Sequence, residues 1–220
     1  MNEIVQHDVS REGLSMAKVR QLGRLFVPSL NHAIVKVNVF RNINVAKINE
    51  LLGTNFRGII LDIDECVAPH HGEILPENVD AIMAMIADGV KLVIFSNMKA
   101  SDRYNAVIER ASREFGYDIK VIMTPHGKPD ERGFEASLKE LKLAADEQAL
   151  MIGDNLVTDG GSISAGIPFV KVRPLQTPGE SGFKRAKRAF QTSSRSFYGI
   201  VSNLYDTVSG RRVLRDEDFE

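Results

Sequence analysis

Hydrophobic residues recur along the chain in two alternating patterns: short apolar runs typical of buried strands, and longer segments with apolar residues at helical spacing. The short runs predict strands over residues 33–40, 58–63, 90–95, 119–123, 149–152 and 168–172. The helical segments are residues 45–53, 76–89, 101–115, 130–143 and 158–165. This alternation predicts an α/β fold with a doubly wound, mostly parallel sheet that helices cover on both faces.

Polar side chains follow four consecutive strands of this pattern, starting with the strand over residues 58–63. In chain order they are Asp62 and Asp64, Ser96 and Asn97, Lys128, and Asp154 and Asp159. Side chains two positions apart on a strand point to the same side, so we expect the first two carboxylates to face one place. Because open α/β sheets bind ligands beyond the carboxyl ends of their strands, we expect all seven residues at one site.

These residues, in this order and each after a strand, resemble the motifs of the haloacid dehalogenase-like phosphohydrolase superfamily over about residues 58–172. The resemblance implies a Rossmann-like fold and a phosphoric monoester hydrolase that works through an aspartyl-phosphate. It makes Asp62 the nucleophile and Asp64 the general acid and base. The chemistry suits these residue types, because a carboxylate nucleophile divides hydrolysis into two steps and a second carboxylate can move the protons.

The same resemblance implies roles for the remaining polar residues and a need for Mg²⁺. Ser96, Asn97 and Lys128 would bind the phosphoryl group, and Lys128 would also offset the charge of the nucleophile. Clustered carboxylates beside a phosphate repel one another, and a hard divalent cation with oxygen ligands offsets that charge. The implied metal ligands are Asp62, Asp154 and the backbone carbonyl of Asp64, with Asp159 in the outer shell.

The chain leaves no room for a cap domain over this site. The stretches between the first core strand and Pro76, and between the third strand and Lys128, are too short to hold a domain, so we expect an open site unless a neighbouring subunit of an oligomer covers it. Over about residues 25–190 the chain resembles the capless phosphatidylglycerophosphate phosphatases and their bacterial relatives. The segments that carry this resemblance are "PSLNHAIVKVNVFRNINVAKINELLG", "GKP" around Lys128, and "FKRAKRAF". Glu65 departs from it, since Asn is usual there, and "TDGGSISAG" is one residue shorter than usual.

Charge is distributed unevenly in a chain whose formal net charge is -1. Residues 13–49 and 181–205 contain Lys and Arg but no Asp or Glu, which favours an anionic partner such as lipid. "FKRAKRAF" (183–190) has the pattern of an interfacial helix, or of an ordinary helix that packs its two Phe residues on the core. We expect an anionic lipid substrate, phosphatidylglycerophosphate, and no nucleic-acid partner. The same positive charge would also suit a phosphatase that acts on the ends of nucleic acids, and this alternative stays open.

Composition and the N-terminal sequence indicate the cellular compartment of such a protein, and the distribution of basic residues indicates its domain boundaries. The single cysteine, Cys66, excludes an internal disulfide and fits a reducing compartment. The N-terminus lacks the apolar core of a targeting peptide, and no apolar run is long enough to span a membrane. We expect a cytoplasmic protein with peripheral contact to the inner face of the membrane. The predicted units are a basic arm (1–24), the phosphatase domain (25–175) and a basic helical extension packed on it (176–220).

Other functions stay open at this stage. The first is a phosphatase of a soluble ester, such as a sugar or nucleotide phosphate. A receiver-type phosphoaspartate switch would carry its acceptor acid after the third strand, where no acid precedes Lys128. A non-catalytic binding module would not require this complete set of reactive groups.

Single residues also have plainer interpretations. Ser96 and Asn97 could cap a helix, and Lys128 taken alone could be a surface lysine. Cys66 is expected to be a small packing residue. His70 and His71, with the neighbouring Glu73, fall in the turn after the first core strand, where a flap that contacts substrate is expected rather than a metal site.

Overall fold

A computed structural model describes residues 16–25, 27, 32–70, 72–97, 102–175 and 200–220 of the chain. The strands are β1 (Ala33–Val37), β2 (Phe56–Leu61), β3 (Lys91–Ile94), β4 (Lys120–Val121), β5 (Gln148–Gly153), β6 (Phe169–Val172) and β7 (Leu214–Arg215). The α-helices are α1 (Met16–Leu25), α2 (Val45–Leu52), α3 (Pro76–Ala87), α4 (Asn105–Phe115) and α5 (Glu131–Leu141). Residues 200–209, here called the C-terminal helix, are also helical.

The strands form one seven-stranded sheet in the order β4-β3-β2-β5-β6-β1-β7. Every pair of neighbouring strands is parallel, so the predicted α/β fold is confirmed and its mostly parallel sheet is parallel throughout. The chain leaves β2 toward β3 on one side and returns from β4 to β5 on the other. This reversal of direction creates a crevice at the carboxyl ends of β2 and β5, where open α/β sheets bind ligands.

Two hydrophobic clusters cover the two faces of the sheet. Ile59 and Leu61 of β2 pack into a cluster with residues of α2, α3 and α4, whereas Ile60 packs into a cluster with residues of α5. Side chains alternate between faces along a strand, so an uninterrupted apolar run is what a strand buried on both faces requires. The run Ile59–Leu61 therefore follows from its central position.

The helices begin and end where local sequence signals indicate. The Asn44 side chain accepts a hydrogen bond from the backbone N–H of Lys47 at the start of α2, and Gly53 ends that helix in the left-handed conformation. Pro76 occupies the first turn of α3. Gly116 ends α4 in the same left-handed conformation as Gly53. These stop signals explain why the predicted ends agree with the structure.

Several predicted bounds differ from those observed. The strand predicted over 33–40 ends at Val37, because a 3-10 turn at Phe40–Asn42 buries Phe40. The strand predicted over 119–123 pairs only at Lys120–Val121, and the helix predicted over 158–165 is a 3-10 helix, Asp159–Ala165. The helix predicted from residue 101 begins with a 3-10 turn at Asp102–Tyr104. The elements α1 and β7 were not predicted, and no bounds were predicted for the C-terminal helix, which falls in the helical extension expected over 176–220.

The connections that could hold a cap domain are short. Residues 62–75 join β2 to α3, residues 122–130 join β4 to α5, and the described part of the chain contains no separate cap domain. The predicted absence of a cap is therefore confirmed. None of the described helices has the length and apolarity that crossing a membrane requires.

The described parts of both terminal segments contact the sheet and its helices. In α1, Arg24 forms an ion pair with Glu131 at 3.4 Å, and this helix spans the boundary expected at residue 24. On the C-terminal side, β7 pairs with β1, and Lys36 of β1 bonds to Asp206. The segment 183–190, predicted as an interfacial or packing helix, lies outside the described residues. The division into arm, domain and extension stays a prediction.

Candidate active site

Three buried carboxylates meet where β2 and β5 end. Leu61 of β2 lies level with Ile152 of β5, and the backbone N–H of Asp62 donates to Ile152 O at 2.9 Å. This register places Asp62 next to the loop that carries Asp154 and Asp159. One carboxylate oxygen from each of the three residues lies within 4.8 Å of those of the other two. The prediction that the first and fourth strands deliver acids to one place therefore agrees with the geometry.

The Lys128 ammonium lies between two of these carboxylates. Its Nζ is 2.7 Å from Asp62 Oδ1 and 2.6 Å from Asp159 Oδ1, and the lysine is only 3% exposed. Burial alone would lower the pKa of Lys128, but the attraction of Asp159 and Asp62 outweighs burial and raises it. Lys128 is therefore a buried, charged member of the cluster and not a surface lysine.

Among the influences on the pKa of Asp62, the candidate nucleophile, burial is the largest. Burial raises the pKa of Asp62 to about 7, against the attraction of Lys128, and repulsion from Asp159 and Asp64 adds to the rise. The carboxylates thus outnumber the single ammonium inside the site. A divalent cation at this place would restore the balance and favour the ionised form of Asp62.

Two glycines make the close approach of the loops sterically feasible. A Cβ on Gly153 would lie 2.3 Å from Asp159 Oδ2, and a Cβ on Gly161 would lie 2.5 Å from Pro129 Cβ. Asp159 Oδ2 also accepts a hydrogen bond from the backbone N–H of Asn155 at 2.9 Å. Glycine is therefore needed at both positions, because a side chain there would displace Asp159 or the loop that carries Lys128.

Ser96 and Asn97 follow β3 beside Asp62, as predicted. Leu61 and Ile94 lie level in the sheet, and Ser96 is 4% exposed. The Asn97 side chain bonds to the backbone of Lys128 at both its amide oxygen and its amide nitrogen. The structure therefore brings both residues to the site, and it uses the Asn97 amide to hold the lysine loop.

Asp64 has a partner that the sequence reasoning missed. Arg103 Nη1 donates to Asp64 Oδ1 at 3.0 Å, and Arg103 Nη2 donates to Asp64 Oδ2 at 3.1 Å. This hydrogen bonding raises the pKa of Arg103 despite its partial burial. Arg103 lies in the 3-10 turn before α4. Hydrophobic periodicity gives no information on where its side chain points, so the contact with Asp64 could be seen only in the folded structure.

The acidic triad suits a hard metal ion. Asp62, Asp154 and Asp159 offer only carboxylate oxygens, are buried and lie close together, which fits the oxygen coordination that Mg²⁺ requires. Both carboxylate oxygens of Asp159 already accept hydrogen bonds, from Lys128 Nζ and Asn155 N. Asp62 and Asp154 are therefore the better candidates for direct ligands, and Asp159 for an outer position.

The neighbouring residues support the site without joining the triad. Cys66 is fully buried and burial raises the pKa of its thiol, which fits a packing residue. Glu65 adopts a left-handed backbone conformation with φ 62°, which Asn adopts more readily than Glu. His71 lies outside the described residues. Within the described part of the chain, the triad is the cluster of acidic residues that could hold a metal ion.

This fold and site define a capless phosphohydrolase of the haloacid dehalogenase-like class. A family model described as mitochondrial PGP phosphatase, where PGP is phosphatidylglycerophosphate, matches residues 14–161 of the 220. The chain belongs to this family and is a phosphoric monoester hydrolase. No curated protein matches the chain. No solved structure matches it either.

Proposed function

We propose that the protein is a Mg²⁺-dependent phosphatase that hydrolyses phosphatidylglycerophosphate to phosphatidylglycerol and phosphate at a membrane surface. The observation that carries this proposal is the family match over residues 14–161, which includes the buried cluster of Asp62, Lys128, Asp154 and Asp159. The family's name supplies the substrate, and the cluster supplies groups suited to transfer a phosphoryl group.

In the proposed mechanism, Asp62 attacks the phosphorus atom and the glycerol oxygen leaves, which forms an aspartyl-phosphate. Lys128, already 2.7 Å from Asp62 Oδ1, offsets charge on the nucleophile and on the phosphoryl group. Ser96 and backbone N–H groups after β3 bind phosphoryl oxygens. Mg²⁺ held by Asp62, Asp154 and the carbonyl of Asp64 would orient the phosphoryl group and offset its charge.

The proposed proton carrier is Asp64. It would donate a proton to the leaving glycerol oxygen and then accept one from the water that hydrolyses the aspartyl-phosphate. The ion pair between Asp64 and Arg103 must open for this role, because the guanidinium occupies both carboxylate oxygens, and the freed carboxylate must take up a proton from water before the glycerol oxygen leaves. A rearrangement around Asp64 is thus part of the proposed reaction.

A surface feature supports membrane contact. Ile200, Leu204 and Val208, here called the apolar stripe, recur every four residues on the C-terminal helix and are 66%, 67% and 79% exposed. The opposite side of this helix is bound to Lys36 through Ser202 and Asp206. The stripe directly follows, along the chain, the basic segment 184–195, and this combination of apolar and cationic residues suits an anionic bilayer.

The proposed location is peripheral, on a membrane that contains the lipid. The name of the family points to mitochondria, whereas the sequence alone led us to expect the cytoplasm and the inner face of the cell's membrane. Peripheral contact is compatible with either compartment, and the relevant membrane is the one that contains phosphatidylglycerophosphate.

The test is phosphate release from three kinds of substrate by purified protein. Phosphatidylglycerophosphate in anionic vesicles, a panel of sugar phosphates and a panel of nucleotide monophosphates are compared with Mg²⁺ and with chelator. We expect hydrolysis of the lipid well above that of soluble esters, dependent on Mg²⁺ and absent from Asp62→Asn, measured on fresh protein so that deamidation cannot restore the acid. Asp146→Asn, an exposed position before β5, is the matched control. Rapid hydrolysis of a soluble ester with none of the lipid would favour the soluble-ester function instead.

A further inference from the structure

Arg103 occupies a defined position at the rim of the site. The 3-10 turn Asp102–Tyr104 follows β3 and carries the Arg103 guanidinium toward the loop after β2. There it donates to both oxygens of Asp64 and, at 3.3 Å, to the Gly72 carbonyl. The guanidinium carbon also lies 5.5 Å from the centre of the Tyr104 ring. The side chains of Arg103 and Asp64 are 11% and 13% exposed, so the pair is mostly shielded but keeps some contact with solvent.

The position of this ion pair relative to the nucleophile is informative. Asp64 follows Asp62 by two residues and is close enough for its charge to raise the pKa of Asp62. Lys128 contacts the nucleophile directly, and it also contacts Asp159. The site therefore carries two cations in different places: Lys128 bound to Asp62 and Asp159, and Arg103 bound to Asp64.

The proposed substrate also carries two anionic groups in different places. The phosphomonoester that reacts must enter the cluster beside Lys128. A glycerol bridge joins it to a phosphodiester that does not react and that keeps one negative charge. A planar guanidinium is well suited to pair with two oxygens of a phosphate, as it does here with the two oxygens of a carboxylate.

We propose that Arg103 is a specificity-determining residue, which leaves Asp64 when substrate enters and pairs with the non-reacting phosphodiester. This inference rests on the proposed function, because it needs a substrate with both phosphates. The exchange replaces one anionic partner of the guanidinium with another, so its charge remains paired. It also releases the oxygens of Asp64 toward the leaving glycerol oxygen, which links recognition of the correct substrate to catalysis.

The competing interpretation is that Arg103 only ties the start of α4 to the loop after β2. A tie of that kind would affect all substrates alike, whereas a contact with the phosphodiester affects only substrates that contain one. The ratio of kcat/KM between two substrates therefore separates the two interpretations. Both substrates must be soluble, so that binding to membranes does not enter the comparison.

The experiment compares a short-chain, water-soluble phosphatidylglycerophosphate with glycerol phosphate, which lacks the diester, in the presence of Mg²⁺. For Arg103→Gln we expect kcat/KM on the lipid to fall by about 10- to 100-fold, the effect of losing a charged hydrogen-bonded contact. We expect kcat/KM on glycerol phosphate not to fall, because this substrate has no diester for Arg103 to bind and the variant leaves Asp64 free to move protons. Arg103→Lys, which keeps the charge without the planar fork, should fall between the wild type and Arg103→Gln on the lipid.

Controls keep this test decisive. Arg110→Gln removes a partly exposed arginine of α4 that pairs with Asp80 and Glu114, and it should leave both substrates unaffected. If Arg103→Gln does not fold, the substrate ratio of Arg103→Lys gives the answer. Equal losses on both substrates, or no loss on either, would overturn the role of Arg103 while leaving the phosphatase function intact. A wild type that hydrolyses glycerol phosphate but not the lipid would overturn the proposed function, and this inference with it.

Discussion

The Asn97 side chain and the Lys128 backbone form two hydrogen bonds with each other. Asn97 Oδ1 accepts from Lys128 N at 2.7 Å, and Asn97 Nδ2 donates to Lys128 O at 2.9 Å. The end of β3 thereby fixes the loop after β4, at the residue whose ammonium reaches Asp62 and Asp159. The motif resemblance implies substrate binding by Asn97, whereas this double contact leads us to propose that Asn97 positions Lys128.

Replacing Asn97 tests this positioning role. We expect Asn97→Ala to lower kcat by about 10- to 100-fold, the cost typical of outer-shell partners, with a smaller change in KM. Asn97→Asp should also be impaired, because its carboxylate cannot donate to the Lys128 carbonyl. Steady-state kinetics with Mg²⁺ on a soluble ester gives both constants. A KM effect alone would indicate direct substrate binding instead.

The site was predictable to the extent that it depends on strand order along the chain. Each of Asp62, Ser96, Lys128 and Asp154 follows an apolar run, and parallel strands all end at one edge, so their meeting follows from the pattern. Arg103 was not predictable in this way. A loop arginine has many rotamers, and its contact with Asp64 depends on the tertiary position of the turn that carries it.

The strand at one edge of the sheet, β7, was also not predictable from local sequence. The strand β7 contains only Leu214 and Arg215, and it pairs with β1 near the other end of the chain. Two residues give no periodicity, and their pairing depends on the C-terminal helix, whose Asp206 binds Lys36. Long-range contacts of this kind leave little trace in local sequence, which explains why β7 is the one described strand that was not predicted.

Two acids of the triad should differ in their effect on metal binding. Asp159 uses both oxygens for Lys128 and Asn155, so Asp159→Ala should weaken Mg²⁺ binding by about 10- to 100-fold, as outer-shell changes do. Asp154→Ala, which removes a proposed direct ligand, should weaken it further. Calorimetric titration of folded variants with Mg²⁺ measures the affinities, with Asp146→Ala as the control. The reverse order would place Asp159 in the inner shell.

Asp64→Asn should separate substrates by their leaving group. An alkyl alcohol needs a proton to leave and a phenol needs one much less, so the first turnover should slow by about 10²- to 10⁴-fold on alkyl phosphates and far less on phenyl phosphate. Slow dephosphorylation should then produce a burst of phenol equal to the enzyme present. Rapid-quench measurements follow this burst, and equal slowing on both esters would exclude Asp64 as the general acid.

The left-handed conformation of Glu65 predicts an unusual order of stabilities. A Cβ at φ 62° costs about 1 kcal/mol, so Glu65→Gly should be more stable than Glu65→Ala by about that amount. Both variants lose the same Glu side chain, so the comparison isolates the backbone. At Glu140, an exposed residue of α5, the order should reverse, since Gly costs about 1 kcal/mol in a helix. Urea denaturation measures all four variants, and Ala more stable than Gly at residue 65 would contradict the prediction.

Changing the apolar stripe to Ile200→Ser/Leu204→Ser/Val208→Ser should weaken cosedimentation with anionic vesicles. Three exposed apolar side chains that enter the bilayer interface together contribute on the order of 10²-fold in binding, with little effect on the free energy of unfolding.

Neutralising Lys184, Arg185, Lys187 and Arg188 should also weaken binding to the vesicles. Added salt should weaken binding of the wild type, because it screens these charges. Both sets of changes should lower hydrolysis of the lipid in vesicles and spare hydrolysis of its short-chain, soluble form.

Phe115→Ser, at an exposed apolar residue of α4, is the matched control and should bind vesicles as the wild type does. The same preparations are passed over a size-exclusion column. If the wild type is a dimer and the serine variant of the stripe is a monomer with unchanged vesicle binding, the stripe is an interface between copies of the chain. That result would leave membrane contact to the basic segment alone, whereas loss of vesicle binding by a protein of unchanged size assigns the contact to the C-terminal helix.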